Sequence, residues 1–157
     1  MNGKAAENLV ALLRAQGLTC ATAESCTGGG VGSAITSVPG SSAVFAGGVI
    51  SYSNDVKQNV LGVSPETLAT VGAVSSETAA QMADGVRKLL KVDLAVSLTG
   101  IAGPDGGSAE KPVGLVWFGL ATKDGVRTEK AIFRGDRDGI RRNAVVHALG
   151  MLTIAAS

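Results

Sequence analysis

The chain has 157 residues, of which 45% are hydrophobic and 17% charged, and this size and composition are typical of one compact globular domain. Its 14 Lys and Arg nearly balance 13 Asp and Glu, so no long-range field favours nucleic acid or an anionic membrane, and neither partner is expected. No stretch resembles a signal peptide or a membrane-spanning helix of about 20 apolar residues, so we expect a soluble, cytoplasmic protein with reduced cysteines.

The first half of the chain alternates between predicted helices and strands. Leucines at helical spacing predict a helix over residues 4–16 that Gly17 closes. A strand over 19–24 then leads through the turn SCTGGG into a second helix. A strand over 44–53 precedes a short helix, for which Asn54 is the predicted cap.

The middle of the chain continues this alternation. A short helix opens at Ser64, and a longer one begins at Ser75 or Ser76 and runs to about Lys91. DLAVSLTG is a predicted buried strand, and the glycine- and proline-rich loop after it, over 100–112, is long enough to suggest a functional role.

A β-hairpin and a helix are predicted at the end of the chain. Lys123-Asp124-Gly125 is the predicted turn between LVWFGLAT and VRTEKAIFR, in which Trp117 and Phe118 are expected in the core. The final helix starts at Asp136. The whole pattern predicts a single domain over 1–157 of α/β class, a three-layer-like sandwich with a mixed β-sheet flanked by helices.

Ser25 lies in the densest polar cluster, TAESCTGGG, between a predicted strand and a predicted helix. Glycines there allow close approach of a ligand, and the N–H groups of the helix start favour a phosphate or an oxyanion. Helix capping explains the same pattern about as well. Cys26 is a rival nucleophile, although we favour it as a packing residue.

A serine nucleophile needs a base, and the single histidine does not supply one. His147 lies in the last predicted helix, far in sequence from the glycine-rich loops, and is interpreted as structural. Lys57 is the candidate amine, because burial at a strand-to-helix corner would favour its neutral form. A solvated helix lysine is the alternative interpretation.

Two further segments carry candidate ligand contacts. Thr99 and Gly100 end a predicted strand, where the ligand crevice of an α/β sheet usually lies. Near the C-terminus, FRGDRDGIRR gathers four arginines suited to a phosphate, or to ion pairs along a charged helix start. Phe45 and Tyr52 could face a planar ring.

Five blocks in this order resemble the CinA C-terminal domain family: TAESCTGG, PGSSAVFAGGVISYSNDVK, GAVSSET, SLTGIAGPDGG with EKPVG, and FRGDRDGIRR. The likeness covers nearly the whole chain. The family includes stand-alone nicotinamide mononucleotide deamidases and larger proteins with an additional N-terminal domain, and the chain resembles the single-domain form.

The resemblance implies an amidohydrolase that converts nicotinamide mononucleotide to nicotinate mononucleotide and ammonia by a Ser/Lys dyad, without a metal or another cofactor. It implies Ser25 as nucleophile, Lys57 as base and Tyr52 as active-site support. The expected substrate contacts are Glu24, Thr27, Gly28, Gly29, Ser41, Phe45, Thr99 and Gly100, with Arg141 or Arg142 at the phosphate.

The abundance of small residues makes a homo-oligomer the expected assembly. The alternative function is that of a CinA-type domain that binds a pyridine nucleotide or a protein without turnover.

Overall fold

The structure is a computed structural model that describes residues 2–157. The helices of this part are α1 (Asn2–Gln16), α2 (Gly30–Thr36), α3 (Asn54–Leu61), α4 (Pro65–Thr70), α5 (Ser76–Leu90) and α6 (Arg137–Ala156), with a 3-10 turn at Ser41–Ala43. The strands are β1 (Cys20–Glu24), β2 (Phe45–Ile50), β3 (Leu94–Gly100), β4 (Leu115–Thr122) and β5 (Gly125–Ile132). Across residues 2–157, every helix is too short or too polar to cross a lipid bilayer.

The strands form one mixed sheet in the order β2-β1-β3-β4-β5. β1 runs parallel to both β2 and β3, whereas β4 is antiparallel to β3 and to β5. Helices α1, α2 and α6 pack on one face, and α3, α4 and α5 pack together on the other. This arrangement confirms the predicted three-layer α/β sandwich.

Each face of the sheet has its own apolar core. On the α1–α2–α6 face, Phe118 of β4 packs with large side chains such as Leu9 and Leu149. The α5 face is lined by small strand residues, among them Ala21 and Ala23, so that α5 can approach the sheet closely.

Side-chain caps fix where the helices begin. The Ser75 hydroxyl accepts the N–H of Thr78 at 3.2 Å, which confirms the earlier of the two predicted starts of α5. For α3 the prediction was wrong by one residue, because Ser53 is the cap and accepts the N–H of Val56 at 3.2 Å. Both neighbouring residue types can cap a helix, so the sequence did not separate them.

Trp117 corrects a second expectation. Phe118 is fully buried, but Trp117 on the opposite side of β4 is only half-buried, with the Lys130 ammonium 5.5 Å from its ring centroid. The Trp117 ring lies beside the first residues of α5 and borders a groove with Ser75 and Glu77. The sheet therefore leaves one side of this ring uncovered.

The chain reverses its direction of strand addition at β1. From β1 it continues to β2 on one side of the strand, and it later returns to β3 on the other side. The Ser51 N–H donates to the Glu24 carbonyl at 2.7 Å, and the Ser25 N–H donates to the Leu98 carbonyl at 3.0 Å. The carboxyl ends of three parallel strands thus meet at a topological switch point, where ligands of open α/β sheets bind.

Candidate active site

A cavity of about 290 Å³ opens at this switch point. Its size lies at the lower end for small-molecule sites, which begin at about 300 Å³. The lining side chains and backbone come from several separate segments and include Ser25, Lys57, Tyr52, Thr99, Gly100 and Arg137. Ser25 follows β1, and Lys57 lies in the second turn of α3, which follows β2.

Lys57 is buried at the wall of this cavity. Lys57 is only 1% exposed, and its Nζ lies 3.1 Å from the Ser25 Oγ. The same Nζ lies 2.7 Å from the Ser51 carbonyl oxygen and 3.3 Å from the Tyr52 carbonyl oxygen. The alternative of a solvated helix lysine is therefore wrong.

The surroundings of Lys57 favour its neutral form. Burial lowers the pKa of the amine below its usual 10.5, and within residues 2–157 no carboxylate forms an ion pair with it. A neutral amine has two N–H donors and one lone pair. In that neutral form, the carbonyls of Ser51 and Tyr52 would accept the two N–H groups, and the lone pair would face the Ser25 hydroxyl.

The turn after Ser25 is anchored by Glu24. One carboxylate oxygen accepts the Thr27 hydroxyl at 2.6 Å and the Val31 N–H at 2.9 Å, and the other accepts the Gly32 N–H at 2.9 Å. Glu24 is buried, and its charge lies at the start of α2, where a helix favours an anion. Glu24 therefore contacts the protein backbone and holds the Ser25 turn against α2.

Ser25 is not a helix cap. The cap position of α2 is Gly29, whose backbone has a φ of 97° and which makes no side-chain capping bond. The capping interpretation of Ser25 is thus wrong, and its hydroxyl is free to face Lys57 and the cavity.

Cys26 shares the cavity wall but is a poor nucleophile. Burial raises the pKa of its thiol to about 11, and burial raises the pKa of Cys20 to about 12. At neutral pH both side chains are therefore un-ionised thiols. This chemistry agrees with the interpretation of Cys26 as a packing residue.

The wall opposite Lys57 is built by the end of β3. Thr99 is 1% exposed and donates its hydroxyl to the Ala73 carbonyl at 2.8 Å, while Gly100 lines the cavity beside it. Tyr52 is 66% exposed and stands at the rim. The three residues border the space in front of Ser25 and Lys57.

The arginines of the C-terminal segment take different positions. Arg137 lines the cavity and donates to the Gly103 carbonyl at 2.7 Å. Arg141 instead donates to the carbonyls of Cys26 and Thr27, and Arg142 lies with it in a neighbouring groove beside α2. Neither of the two arginines expected at the phosphate is among the lining residues of the Ser25 cavity.

Ser41 and Phe45 also lie away from the cavity. They stand at the start of β2, where Phe45 pairs with Cys20, whereas the cavity lies at the other end of these strands. A strand of this length separates its two ends by about 16 Å. Phe45 packs beneath α2 near Gly32, so the structure does not bring it or Ser41 to Ser25.

Thr27, Gly28 and Gly29 form the turn that follows Ser25. Thr27 is buried, and the Gly28 N–H donates to the Ser25 carbonyl at 3.1 Å. Two site features were missed by the sequence analysis: the Ser51 carbonyl on Lys57, and the place of Arg137 at the cavity. A carbonyl carries no sequence signal, and one arginine among four in the same short segment cannot be singled out without the fold.

His147 lies outside this site, on the α6 face of the sheet. Its Nε2 is 2.9 Å from the Glu129 carboxylate, and its ring is 4.3 Å from that of Phe118 between centroids. These contacts agree with its interpretation as a structural residue.

Sequence comparison identifies relatives over most of the chain. Residues 2–155 match the model of the CinA C-terminal domain. A protein of Escherichia coli strain K12 named nicotinamide-nucleotide amidohydrolase PncC is 53% identical over 89% of this chain and 86% of its own length. A competence-damage inducible protein of Halothermothrix orenii is 61% identical over 81% of this chain.

The larger relatives extend well beyond the matched region. The chain spans about a third of the competence-damage inducible proteins that it matches, 31% of the Halothermothrix orenii protein and 35% of that of Caldanaerobacter subterraneus.

Solved structures have the same fold. The crystal structure of a competence/damage inducible protein from Agrobacterium tumefaciens superimposes with a TM-score of 0.95 at 45% identity, over 99% of this chain and 94% of that one. A CinA superfamily protein from Klebsiella pneumoniae gives the same TM-score at 33% identity. The chain therefore belongs to the CinA C-terminal domain family.

Proposed function

We propose that this protein is a nicotinamide mononucleotide deamidase that uses Ser25 as nucleophile and Lys57 as general base. The main support is the 3.1 Å separation of Lys57 Nζ and Ser25 Oγ, two buried groups at the cavity wall, with the Ser51 and Tyr52 carbonyls also within hydrogen-bond distance of the amine. The substrate is proposed from the relative named nicotinamide-nucleotide amidohydrolase, which matches nearly end to end.

In the acylation half-reaction, Ser25 Oγ attacks the carboxamide carbon and its proton passes to the lone pair of Lys57. The carbonyl π electrons move to oxygen and form a tetrahedral oxyanion. Lys57, now an ammonium, gives its proton to the amide nitrogen, the carbon–nitrogen bond breaks and ammonia leaves. An ester of Ser25 with the nicotinate group remains.

Deacylation repeats these steps with water. Lys57 accepts a proton from the water as its oxygen attacks the ester carbon, and then returns that proton to Ser25 Oγ as the carbon–oxygen bond breaks. Nicotinate mononucleotide is released and both residues regain their starting forms. The reaction needs no redox partner, because it exchanges ammonia for water at one carbon.

The oxyanion needs N–H donors beside Ser25. Within residues 2–157, neither the Cys26 N–H nor the Thr27 N–H donates a hydrogen bond to another residue, and both residues are buried. Buried backbone donors are almost always paired with another group, so two such N–H groups beside the proposed nucleophile suit an oxyanion. Removing one such donor typically lowers kcat by about 100- to 1,000-fold.

We propose Arg137 as the partner of the substrate phosphate. Arg137 is exposed and lines the cavity. One of its N–H groups donates to the Gly103 carbonyl, and its other N–H groups remain for an anion. Arg137→Met should raise KM for nicotinamide mononucleotide by about 10- to 100-fold, the worth of a charged hydrogen bond. Nicotinamide riboside, which lacks the phosphate, should show no such change, and an equal change would refute this role.

The direct test is ammonia release from nicotinamide mononucleotide by the purified protein, with nicotinate mononucleotide measured by chromatography. Ser25→Ala and Lys57→Met should each lower kcat by about 1,000-fold or more, because the two residues act as a unit. The matched control is Lys123→Met, which removes an exposed lysine of the hairpin turn and should leave turnover unchanged.

A binding domain without turnover is the competing outcome. It would be established if the substrate raised the melting temperature while wild-type protein released no ammonia. Ser25→Ala that kept its activity would refute the proposed nucleophile.

A further inference from the structure

Arg141 reaches from α6 to the two residues that follow Ser25. Its Nε donates to the Cys26 carbonyl at 3.1 Å and its Nη2 donates to the Thr27 carbonyl at 3.2 Å. These contacts join positions more than 110 residues apart in the chain. The Nε and Nη2 groups of this guanidinium therefore donate to the protein backbone.

These two bonds fix the direction of the neighbouring N–H groups. A trans peptide unit is planar, so its N–H points opposite to its carbonyl. The Cys26 carbonyl shares a unit with the Thr27 N–H, and the Thr27 carbonyl shares one with the Gly28 N–H. Drawing both carbonyls toward Arg141 turns both N–H groups away from it.

The turn is held from its other side as well. The Thr27 hydroxyl donates to Glu24 at 2.6 Å, and the Gly28 N–H donates to the Ser25 carbonyl at 3.1 Å. The Ser25 carbonyl shares a peptide unit with the Cys26 N–H, so the bond from Gly28 also sets the direction of that N–H. Neither the Cys26 N–H nor the Thr27 N–H donates to another residue within residues 2–157.

We propose that Arg141 is a positioning residue, which orients the N–H groups after Ser25 toward the oxyanion and does not bind the substrate. Arginine suits this role because its rigid planar fork can bond two carbonyls at once, which a lysine ammonium on a flexible stem does poorly. The inference rests on the proposed serine mechanism, but not on the identity of the amide substrate.

The test uses an acyl donor without a negative charge. p-Nitrophenyl acetate transfers its acetyl group to Ser25 as the bond to p-nitrophenolate breaks and the hydroxyl proton passes to Lys57. Arg141→Met should slow the burst of p-nitrophenolate about 10- to 100-fold, because misplaced donors stabilise the oxyanion less. Arg141→Lys should recover part of that loss.

Arg87→Met is the matched control. Arg87 is also half-buried and also donates to a backbone carbonyl, that of Asp93 at 3.1 Å, at the far end of the sheet. In the Arg87→Met variant, p-nitrophenyl acetate should acetylate Ser25 at the wild-type rate. The pH dependence of the burst gives a second readout: Arg141→Met should lower the plateau and leave the midpoint set by Lys57 in place.

Several outcomes would overturn the proposal. An unchanged burst in Arg141→Met, with a raised KM for nicotinamide mononucleotide alone, would make Arg141 a phosphate ligand. A shifted midpoint would mean that Arg141 acts on Lys57, and absence of acetylation at Ser25 in wild-type protein would overturn the inference together with the serine mechanism. Acetylation without release of ammonia from nicotinamide mononucleotide would reject the proposed substrate and leave the role of Arg141 standing.

Discussion

The contact between α5 and α3 sets the position of Lys57, the proposed base. A Cβ added to Gly85 of α5 would overlap the Leu61 carbonyl, with the carbonyl carbon 2.9 Å away and the oxygen nearer still. Leu61 is the last residue of α3, and Lys57 lies one turn before it. Gly85→Ala therefore forces the two helices apart at the residues that place the amine.

Relief of the overlap requires the helices to separate by about 1 Å, and overpacking of this kind costs about 1–3 kcal/mol. Alanine is intrinsically favoured over glycine in a helix by about 1 kcal/mol, so we expect a net loss of about 0–2 kcal/mol in unfolding free energy. A displacement of about 1 Å at a catalytic group can lower turnover about 100-fold.

Gly150→Ala supplies the matched control, because no atom lies within 4 Å of the Cβ that it adds to α6. It should stabilise the protein by about 0.5–1 kcal/mol and leave turnover unchanged. Urea unfolding followed by circular dichroism and the ammonia assay measure both quantities. A Gly85→Ala variant as stable and as active as wild type would refute the argument that this helix contact fixes the amine.

Three further predictions concern the site itself. Because burial lowers the pKa of Lys57 and the base must be unprotonated, kcat/KM should rise with pH to a plateau, and a midpoint at the ordinary 10.5 would contradict the burial argument. Cys26→Ala should keep turnover within about twofold of wild type, and iodoacetamide should not inactivate the enzyme at neutral pH; loss of activity in either case would indicate a thiol nucleophile. Glu24→Gln should lower the unfolding free energy by about 2–4 kcal/mol, since an amide cannot accept from all of the donors that the carboxylate satisfies, whereas exposed Glu7→Gln should change it little. Equal urea midpoints for Glu24→Gln and Glu7→Gln would show that the carboxylate is not needed.

Much of the fold could be predicted because its signals are local. The cap at Ser75, the Asp124-Gly125 turn and the alternation of helices and strands each depend on residues within a few positions of one another. The strand order could not be predicted, because parallel pairing depends on contacts distant in sequence. That order is what brings Ser25 and Lys57 together.

The candidate site was predictable to a similar degree. Ser25, Lys57 and Thr99 were selected from the sequence and meet at one cavity. Ser41 and Phe45 share a sequence block with Lys57, but they enter β2 at its opposite end, and proximity in sequence does not reveal that distance. The arginines could not be told apart because successive helix positions point to different sides.

The ladder between β1 and β2 has a consequence for how new substrates could arise. The spacing of Ser25 and Lys57, the proposed reacting pair, is set by neighbouring strands, with the Ser51 N–H bonded to the Glu24 carbonyl, and not by loops that a ligand must first order. The rigid interior of the sheet therefore holds Ser25 and Lys57 in place before a ligand binds. Adaptation to other amides would then be confined to the rim, at Tyr52, Arg137 and the loop after β3, where residues can change without altering the spacing of nucleophile and base.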